Sequence, residues 1–429
     1  MARDAGTQKE YSLGNGAKLY ILIICSLLLT VNFMDRQVFA AVVEPMKADL
    51  NLSDGIIGII GTVFLLSTAV FTFPIAYLID RWSRRKAIGI MAIAWSMFTF
   101  LTGFARNFWT LLIPRTFVGV GEAGFTPGGA AMIGAAFSKK VRGIVMGIFN
   151  MTVVLGIALG SLVAGIIAKQ HGWQAPFFIF AVPGVILGIL AFFMKDYQTM
   201  YETQLGEKVT FTRTVSILSK IPTVVWIFFG YGLVNITNQS VLFWIPAFVG
   251  RAWQVDVQAA NAVVVPIALV AIIGSPAGGF LADFWFKKNP RGRIYLPVIT
   301  NVLATVFLVA ALFLQLKGPL GMAFIIIYGL LFVMAVPCIM AIIQDVAPAA
   351  QKGTAWGAII LGYYGIGGWS PYIVGAISDA LGQDAQALGT ALTIAGMGAV
   401  LGAICFIIAS KSYIADMDKI KHEQVMAEK

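Results

Sequence analysis

Charged residues are scarce in this sequence. Only 12% of its 429 residues are Asp, Glu, Lys or Arg, whereas a soluble globular domain carries about 25%. Hydrophobic residues make up 59%, and the mean hydropathy is +0.85. Apolar runs of about 20 residues, each long enough to cross a bilayer, recur along the chain. The composition therefore excludes an ordinary soluble domain and predicts a polytopic membrane protein.

Histidine, cysteine and nucleotide-binding motifs are also rare or missing. The two histidines, His171 and His422, stand far apart, and neither H-E-x-x-H nor G-x-S-x-G occurs. The three cysteines show no metal-ligand spacing. No G-x-x-x-x-G-K-[ST] loop is present, which argues against an ATP-driven pump. We therefore expect no enzyme, no metal and no cofactor.

The apolar runs contain Gly and Pro but do not alternate apolar and polar residues, so they predict helices rather than barrel strands. The predicted fold class is an all-α polytopic membrane protein with 12 transmembrane helices in two pseudo-symmetric six-helix bundles. The predicted spans are 18–43, 55–79, 86–105, 108–137, 142–168, 174–194, 222–250, 258–282, 294–316, 319–345, 352–378 and 386–410.

The longest polar interval divides these spans six and six. A solute site is then expected between the two bundles, near the middle of the membrane. The predicted organisation is an N-terminal tail (1–17), a first six-helix bundle (18–194), a central loop (195–221), a second six-helix bundle (222–410) and a C-terminal tail (411–429).

Basic residues are distributed unevenly between the two sides of the predicted spans. Of the 30 Lys and Arg residues, Arg36 and Arg115 lie deep within spans and five lie at one set of connections. The other 23 lie at the opposite set of connections, at the first residue of a span on that side, or in the tails. This asymmetry places both termini in the cytoplasm and predicts a multi-pass protein of the plasma (inner) membrane. Topology accounts for the net charge of +10, so we expect a lipid bilayer and no nucleic acid as partner, and a monomer.

Four ionisable residues interrupt two of the apolar spans: Asp35 and Arg36 in the first, Arg115 and Glu122 in the fourth. Each costs roughly 2.5–3.5 kcal/mol at the centre of a spanning helix. A rise of 1.5 Å per residue places Asp35 and Arg115 at nearly the same depth, about 10–12 Å from the outer surface, where they could pair. Glu122 lies one heptad deeper on almost the same face as Arg115.

These charges point to movement of a proton and a charged solute. A solute anion that reaches one of the arginines would compete with Asp35 or Glu122 for the positive charge, and the freed carboxylate would take up a proton. The alternative is a fixed ion-pair network that holds two helices together. Inward-facing charges within membranes more often mark a transport pathway.

Three segments carry a family resemblance. AYLIDRWSRRK (76–86) and RTFVGVGEAG (115–124) resemble motifs of the major facilitator superfamily, with Ala76 and Ser83 in place of two glycines. NFMDR (32–36), taken with the second of these, is similar to the Spinster-like transporters and the anion:cation symporter family. The resemblance covers the whole chain and implies the major facilitator fold.

The resemblance also implies roles for individual residues. It implies that Asp35 and Glu122 are the proton-coupling sites, that Arg36 holds the substrate anion, and that Arg115 tunes Glu122. It further implies a conformational latch at the membrane edge, which pairs across the two bundles in one state and separates in the other. The latch residues are Asp80, Arg81, Arg84 and Arg85, with Asp283 at the corresponding place in the second half.

The second half offers polar and aromatic side chains instead of deep charges. Asn235, Asn238 and Gln239 follow i, i+3, i+4 spacing and form one polar stripe. We expect the second half to read the shape of the solute. The predicted substrate-binding residues are Arg36, Arg115, Asn32, Tyr231, Asn235, Asn238, Gln239, Tyr363, Tyr364 and Trp369.

The sequence therefore predicts a proton-coupled secondary transporter that moves an organic anion or a lysolipid-like anionic amphiphile by alternating access. One alternative is a proton-linked symporter of small carboxylates, such as sugar acids or aromatic acids. Another is a drug or lipid exporter that works by antiport. An intramembrane enzyme is disfavoured by the missing motifs, and a receptor with a transporter fold stays open.

Overall fold

The computed structural model describes residues 13–196, 216–348 and 351–428, and these are overwhelmingly helical. We call the described residues before the central loop the first half and those after it the second half. In the first half the helices are α1 (Asn15–Ala41), α2 (Val43–Leu50), α3 (Asp54–Arg81), α4 (Arg84–Thr102), α5 (Phe108–Glu122), α6 (Phe125–Ala136), α7 (Lys139–His171) and α8 (Ala175–Ala191).

The second half continues in the same way, with several spans broken into shorter helices. Its helices are α9 (Pro222–Trp253), α10 (Val257–Ala262), α11 (Val264–Leu269), α12 (Ala271–Lys288), α13 (Gly292–Phe313), α14 (Gly318–Val346), α15 (Lys352–Gly367), α16 (Ser370–Leu381) and α17 (Ala385–Glu428).

Eight stretches of the described chain are long and apolar enough to cross a membrane. The other predicted spans correspond to α4, to α8, and to two spans that are each built from a pair of helices, α5 with α6 and α15 with α16. The breaks within those pairs leave short interruptions in the middle of the bundle. The twelve-helix, two-bundle fold class is confirmed.

The last helix is longer than the sequence predicts. The predicted span ends at 410, but α17 continues to Glu428. Tyr413, Met417 and Ile420 recur at helical spacing and are buried, so this segment keeps an apolar face that packs on the second half. Asp416 accepts a hydrogen bond of 3.0 Å from the Thr223 backbone N–H at the start of α9. The predicted tail is therefore largely a helical extension that docks on the bundle.

We name the two ends of the bundle by the chain termini. The near end holds the start of α1 and the end of α17, and the far end lies opposite. The far end joins the two halves through Arg251, at the end of α9. Its guanidinium donates to Glu44 of α2 at 2.6 Å and to both carboxylate oxygens of Asp54, each at 2.7 Å. Lys47 donates to the same Asp54 carboxylate at 2.7 Å.

The start of α3 also packs against α16 across the halves. Asp379 accepts hydrogen bonds of 2.9 Å from the backbone N–H groups of Asp54 and Gly55. The two backbones approach so closely that a Cβ at Gly58 would lie 2.3 Å from the Pro371 carbonyl oxygen, and one at Gly375 would lie 2.3 Å from the Asp54 carbonyl. A side chain at either glycine would force the halves apart.

Helix α7 makes a further contact between the two halves at the far end. Ser161 donates to the Asn261 side-chain oxygen at 2.9 Å, and Asn261 donates to the Ala41 carbonyl at 2.8 Å. Lys169 pairs with Asp256 at 2.7 Å, and the hydrogen bond from its ammonium group lowers the pKa of this exposed carboxyl. Because that pKa is lowered in the folded state, the contribution of the pair is present above the ordinary Asp pKa of about 3.9 and is lost as the pH falls.

Replacing Arg251 with Ala should destabilise the protein. The change leaves the buried Asp54 carboxylate with only Lys47 as a cationic partner, and breaking a buried ion pair typically costs about 3–5 kcal/mol. The measurement is the thermal unfolding midpoint of the purified protein. Arg106→Ala, which removes an exposed arginine at the same end, is the control. Equal midpoints for the two variants would contradict a structural role for this network.

Candidate functional site

The central ion pair joins Arg36 of α1 to Glu122 at the end of α5. The Arg36 Nε donates to the Glu122 carboxylate at 2.8 Å. A second donor, Nη1, reaches the Tyr364 hydroxyl of α15 at 3.2 Å, so one guanidinium contacts both halves. The guanidinium carbon, Cζ, also lies 4.8 Å from the centre of the Phe33 ring. The sequence predicts that Arg115 tunes Glu122, and in the structure it is Arg36 that forms the ion pair with Glu122.

Arg115 lies deep in the first half and is 2% exposed. Its guanidinium sits between the Phe39 and Phe64 rings, at 4.8 and 4.7 Å from their centres, which stabilises a cation away from water. Its Nη1 donates to the backbone carbonyl of Asp35 at 3.3 Å. Arg115 and Asp35 are level, as the helical rise predicts, but the hydrogen bond goes to the main chain rather than to the carboxylate.

Asp35 and Glu122 are almost completely buried, at 0% and 1% exposure. Neither lines the central cavity, so both lie behind the arginines. One oxygen of Glu122 bonds Arg36, while the other has no hydrogen-bond partner in the described part of the chain. Both carboxylate oxygens of Asp35 also lack such a partner there. The two acids are thus held in different environments.

A cavity of about 330 Å³ lies between the halves at this level. It is lined by α1, α3, α5 and α7 on one side and by α9, α11, α12, α14 and α15 on the other. Among its described lining residues the charged ones are two arginines, and most of the remainder are apolar or glycine. The polar and charged lining residues are Arg36, Gln37, Arg115, Asn238, Gln239, Tyr328, Tyr363 and Tyr364.

The predicted polar stripe of α9 meets Tyr363 of α15. Asn235 donates to the Tyr363 carbonyl at 2.7 Å, and Asn238 donates to its hydroxyl at 3.0 Å. Tyr231 packs against the same ring with 4.7 Å between ring centres. Asn238 and Tyr363 line the cavity, whereas Asn235 and Tyr231 support Tyr363 from behind.

Two predicted substrate-binding residues lie away from the cavity lining. Trp369 lies at the break between α15 and α16, is 49% exposed, and is not among the residues that line the cavity. Asn32 is buried inside the first half, beside Glu122. The sequence placed Trp369 deeper because it did not predict where the helix breaks. Asn32 is positioned to act on a carboxylate and not on a solute.

The predicted latch residues lie at the near end. The side chains of Asp80 and Arg81 lie outside the described residues, although α3 extends to Arg81. Arg84 is buried. Arg85 donates to backbone carbonyls at the end of α8, including that of Phe192 at 3.3 Å.

In the second half Asp283 pairs with Arg293 at 2.6 Å, and Arg293 also bonds Asp345 at 2.8 Å. The contacts of Arg85 and Asp283 thus stay within their own halves.

Sequence reasoning missed the far-end network and most of the aromatic lining. In the sequence, Asp54 is typical of a residue that caps a helix, and Arg251 is typical of a loop. Because 197 positions separate them, no local pattern predicts that they form a pair. Gln37 and Phe64 line the cavity without an unusual sequence feature.

The arrangement can attract an anion and respond to it. Two guanidiniums face the cavity, and each offers several fixed donors that suit carboxylate or phosphate oxygens. One of them is already engaged with a carboxylate behind the cavity wall. An anion that binds Arg36 therefore changes the electrostatic environment of Glu122 directly.

Comparison with known proteins also indicates a membrane transporter. A family model for the Major Facilitator Superfamily matches residues 25–371. The chain is 28% identical to an MFS-type efflux pump of Mycolicibacterium smegmatis, over 92% of this chain and 93% of that protein. It is 25% identical to the hexuronate transporter of Bacillus subtilis, over 91% and 94%. It is also 25% identical to a sphingosine-1-phosphate transporter of Xenopus tropicalis, over 91% and 81%.

Among solved structures, a bacterial homologue of the lysosomal transporter Spinster in an inward-facing, unoccupied conformation aligns with a TM-score of 0.84 and 22% identity. The alignment covers 94% of this chain and 99% of that one. The resemblance to the superfamily and to its Spinster-like members is confirmed. The protein is a multi-pass membrane transporter and not an enzyme, and the chain belongs to the Major Facilitator Superfamily.

Proposed function

We propose that the protein is a proton-coupled secondary transporter of an organic anion with an apolar body. The observation that carries the proposal is the position of Arg36. It lines the cavity, bonds Glu122 behind the cavity wall, and contacts Tyr364 of the other half. The same guanidinium can therefore bind the solute, pair with the carboxylate that takes up the proton, and contact the other half.

Coupling follows from competition for that guanidinium. When a solute carboxylate or phosphate binds Arg36, Glu122 shares or loses its cationic partner. An unpaired carboxylate in a buried site is strongly unfavourable, and taking up a proton removes the charge. Release of the solute restores the pair and returns the proton. Asp35, the second buried acid, is proposed as the other proton-coupling site, with Arg115 tuning Glu122.

The lining of the cavity supports an apolar solute body. On the second-half side, residues such as Val241, Phe243, Ile267 and Phe332 offer no hydrogen bonds from their side chains. A sugar-acid hydroxyl that lies against one of these apolar side chains would lose water without replacement, which weakens binding. An aromatic carboxylate or an anionic amphiphile buries apolar surface instead. A sugar acid is the second candidate, since the hexuronate transporter is among the relatives.

The uneven distribution of Lys and Arg supports a cytoplasmic near end, with both termini inside and the protein in the plasma (inner) membrane. The far-end network would then close the cavity on the outside, as in an inward-facing transporter. In that state Asp283 would not pair across the two bundles, and its bond to Arg293 of its own half supports this assignment. The protein is proposed to act as a monomer, by symport or antiport.

Anions with an apolar body should stabilise the protein against heat, and Arg36 should be required. We expect 2-naphthoate or a short-chain lysophosphatidate to raise the unfolding midpoint, whereas glucuronate and neutral 2-naphthamide should not. Arg36→Ala should weaken binding by roughly 10- to 100-fold, because charged hydrogen bonds contribute about 1.5–3 kcal/mol. Arg36→Lys should retain part of the affinity through point-charge attraction.

The control for this series is Arg142→Ala, because Arg142 is exposed at the near end. Binding that is unchanged in Arg36→Ala would overturn the role of Arg36. Stabilisation by glucuronate alone would replace the apolar-body proposal with the sugar-acid candidate.

Transport in liposomes should respond to an imposed pH gradient. For one proton per monovalent anion in symport, a gradient of one pH unit should accumulate solute about tenfold, because one unit corresponds to 1.36 kcal/mol. Antiport would deplete it by the same factor. Asp35→Asn should lose this response while still exchanging solute in counterflow. Equal solute distribution with and without the gradient in the wild type would rule out proton coupling.

A further inference from the structure

A group of unpartnered polar side-chain atoms lies inside the first half, separate from the cavity. It comprises both amide atoms of Asn32, both carboxylate oxygens of Asp35, the indole Nε1 of Trp95, the hydroxyl of Thr99 and one carboxylate oxygen of Glu122. All five residues are at most 1% exposed. Within the described chain none of these atoms has a hydrogen-bond partner. We call these five residues the polar seam.

The polar seam forms two layers across α1, α4 and α5. In the layer nearer the far end, the Thr99 hydroxyl faces the Asp35 carboxyl, at a geometry outside that of a well-formed hydrogen bond. In the deeper layer, the Asn32 amide faces Glu122, again outside the geometry of a well-formed hydrogen bond. Asn32 is one helical turn from Asp35 on α1, and Trp95 is one turn from Thr99 on α4, so the two layers are neighbours.

The orientation of Thr99 supports a role for its hydroxyl. A buried threonine in a helix usually donates to the carbonyl four residues earlier, as Thr102 of the same helix does to Phe98 at 2.9 Å. Thr99 makes no such bond. Its hydroxyl therefore faces the polar seam with its hydrogen-bonding capacity unused by the protein.

Apolar residues enclose the polar seam on its near-end side. Leu28 of α1, Met91 of α4 and Phe125 of α6 belong to one buried apolar cluster, which also includes the ring of Trp95, so this ring joins the cluster to the polar seam. The polar seam meets the solute cavity through Glu122, whose other oxygen holds the cavity-lining Arg36. A proton that reaches Asp35 through this group would therefore pass Glu122 first.

We propose that the polar seam binds water and carries protons between Glu122 and Asp35. Buried polar groups are costly when unsatisfied, and a buried water needs two to four polar partners, which the five residues supply. Asn32 and Thr99 are positioning residues that hold the water chain.

In each transfer the O–H bond of the protonated acid breaks as an O–H bond to the next oxygen forms, and each water passes on one of its own protons. The net change is one proton moved from one carboxyl to the other, with no other bond altered.

Radiolytic hydroxyl labelling with mass spectrometry tests the bound water directly, because radicals form where water is held. Trp95 and Trp244 are both fully buried, but the Nε1 of Trp244 donates to the Pro371 carbonyl at 3.1 Å. We expect Trp95 to be labelled and Trp244 to be protected in the wild-type protein. Equal protection of the two tryptophans would overturn the proposal.

Transport by a matched pair of variants tests the proton path. Thr99→Val should slow gradient-driven uptake of 2-naphthoate by about tenfold, which corresponds to 1.36 kcal/mol in the barrier, while Thr102→Val should not. Both variants should keep wild-type counterflow, which needs no net proton movement. Equal gradient-driven uptake by both variants, or parallel loss of uptake and counterflow in Thr99→Val, would refute a proton-path role.

The inference rests on the proposed proton coupling, but the labelling does not depend on transport. If wild-type uptake ignores the pH gradient while Trp95 is labelled, the proposed coupling fails and the polar seam is a structural water site, so its role as a proton path is overturned.

Discussion

Arg36 and Glu122 form an ion pair inside a membrane protein, where both charges have left bulk water. Such a pair contributes little net stability, because the desolvation of the ions offsets most of their attraction. Losing one partner is far more costly, since the other charge stays buried alone. The pair is therefore stable when complete and sensitive to any competitor. That sensitivity is what the proposed coupling of solute binding to protonation requires of the Arg36–Glu122 pair.

The residues around the Arg36–Glu122 pair supply a second cation and connect the pair to the other half. Phe39 and Phe64 hold Arg115 near the pair, so the cavity keeps a second cation, whose hydrogen bond within the described chain goes to the backbone carbonyl of Asp35. Tyr364 joins Arg36 to a span that breaks after Gly367 and continues as α16. The far end of that span carries Asp379, which holds the start of α3. The solute site and the far-end closure thus share one broken span.

Much of the fold could be predicted from the sequence, because a bilayer leaves helices as the main way to satisfy the backbone of long apolar runs. The four buried charges could also be located, since each stands out against an apolar background. Which of these charges pair with each other could not be predicted from the sequence. Helical spacing gives depth and face, which correctly placed Arg115 level with Asp35, but the choice between Arg36 and Arg115 as partner of Glu122 depends on how α1 and α5 pack.

Long-range contacts and helix breaks escaped prediction for related reasons. Arg251 and Asp54 meet only because two halves close on each other, which no local pattern reports. The sequence predicts one span over 352–378 with Trp369 as a binding residue, whereas the helix breaks after Gly367 and Trp369 lies outside the cavity lining. The extension of α17 was missed because its buried face is interleaved with charged residues, so its mean hydropathy is low although its pattern is amphipathic.

The central claim is that binding of a solute anion at Arg36 makes Glu122 take up a proton. The most direct measurement is the number of protons taken up per 2-naphthoate bound by purified protein, read with an indicator dye in weakly buffered solution. A net uptake that approaches one proton per bound anion is expected for the wild type, and almost none for Glu122→Gln at saturating anion. Saturable binding by the wild type without proton uptake would contradict the claim.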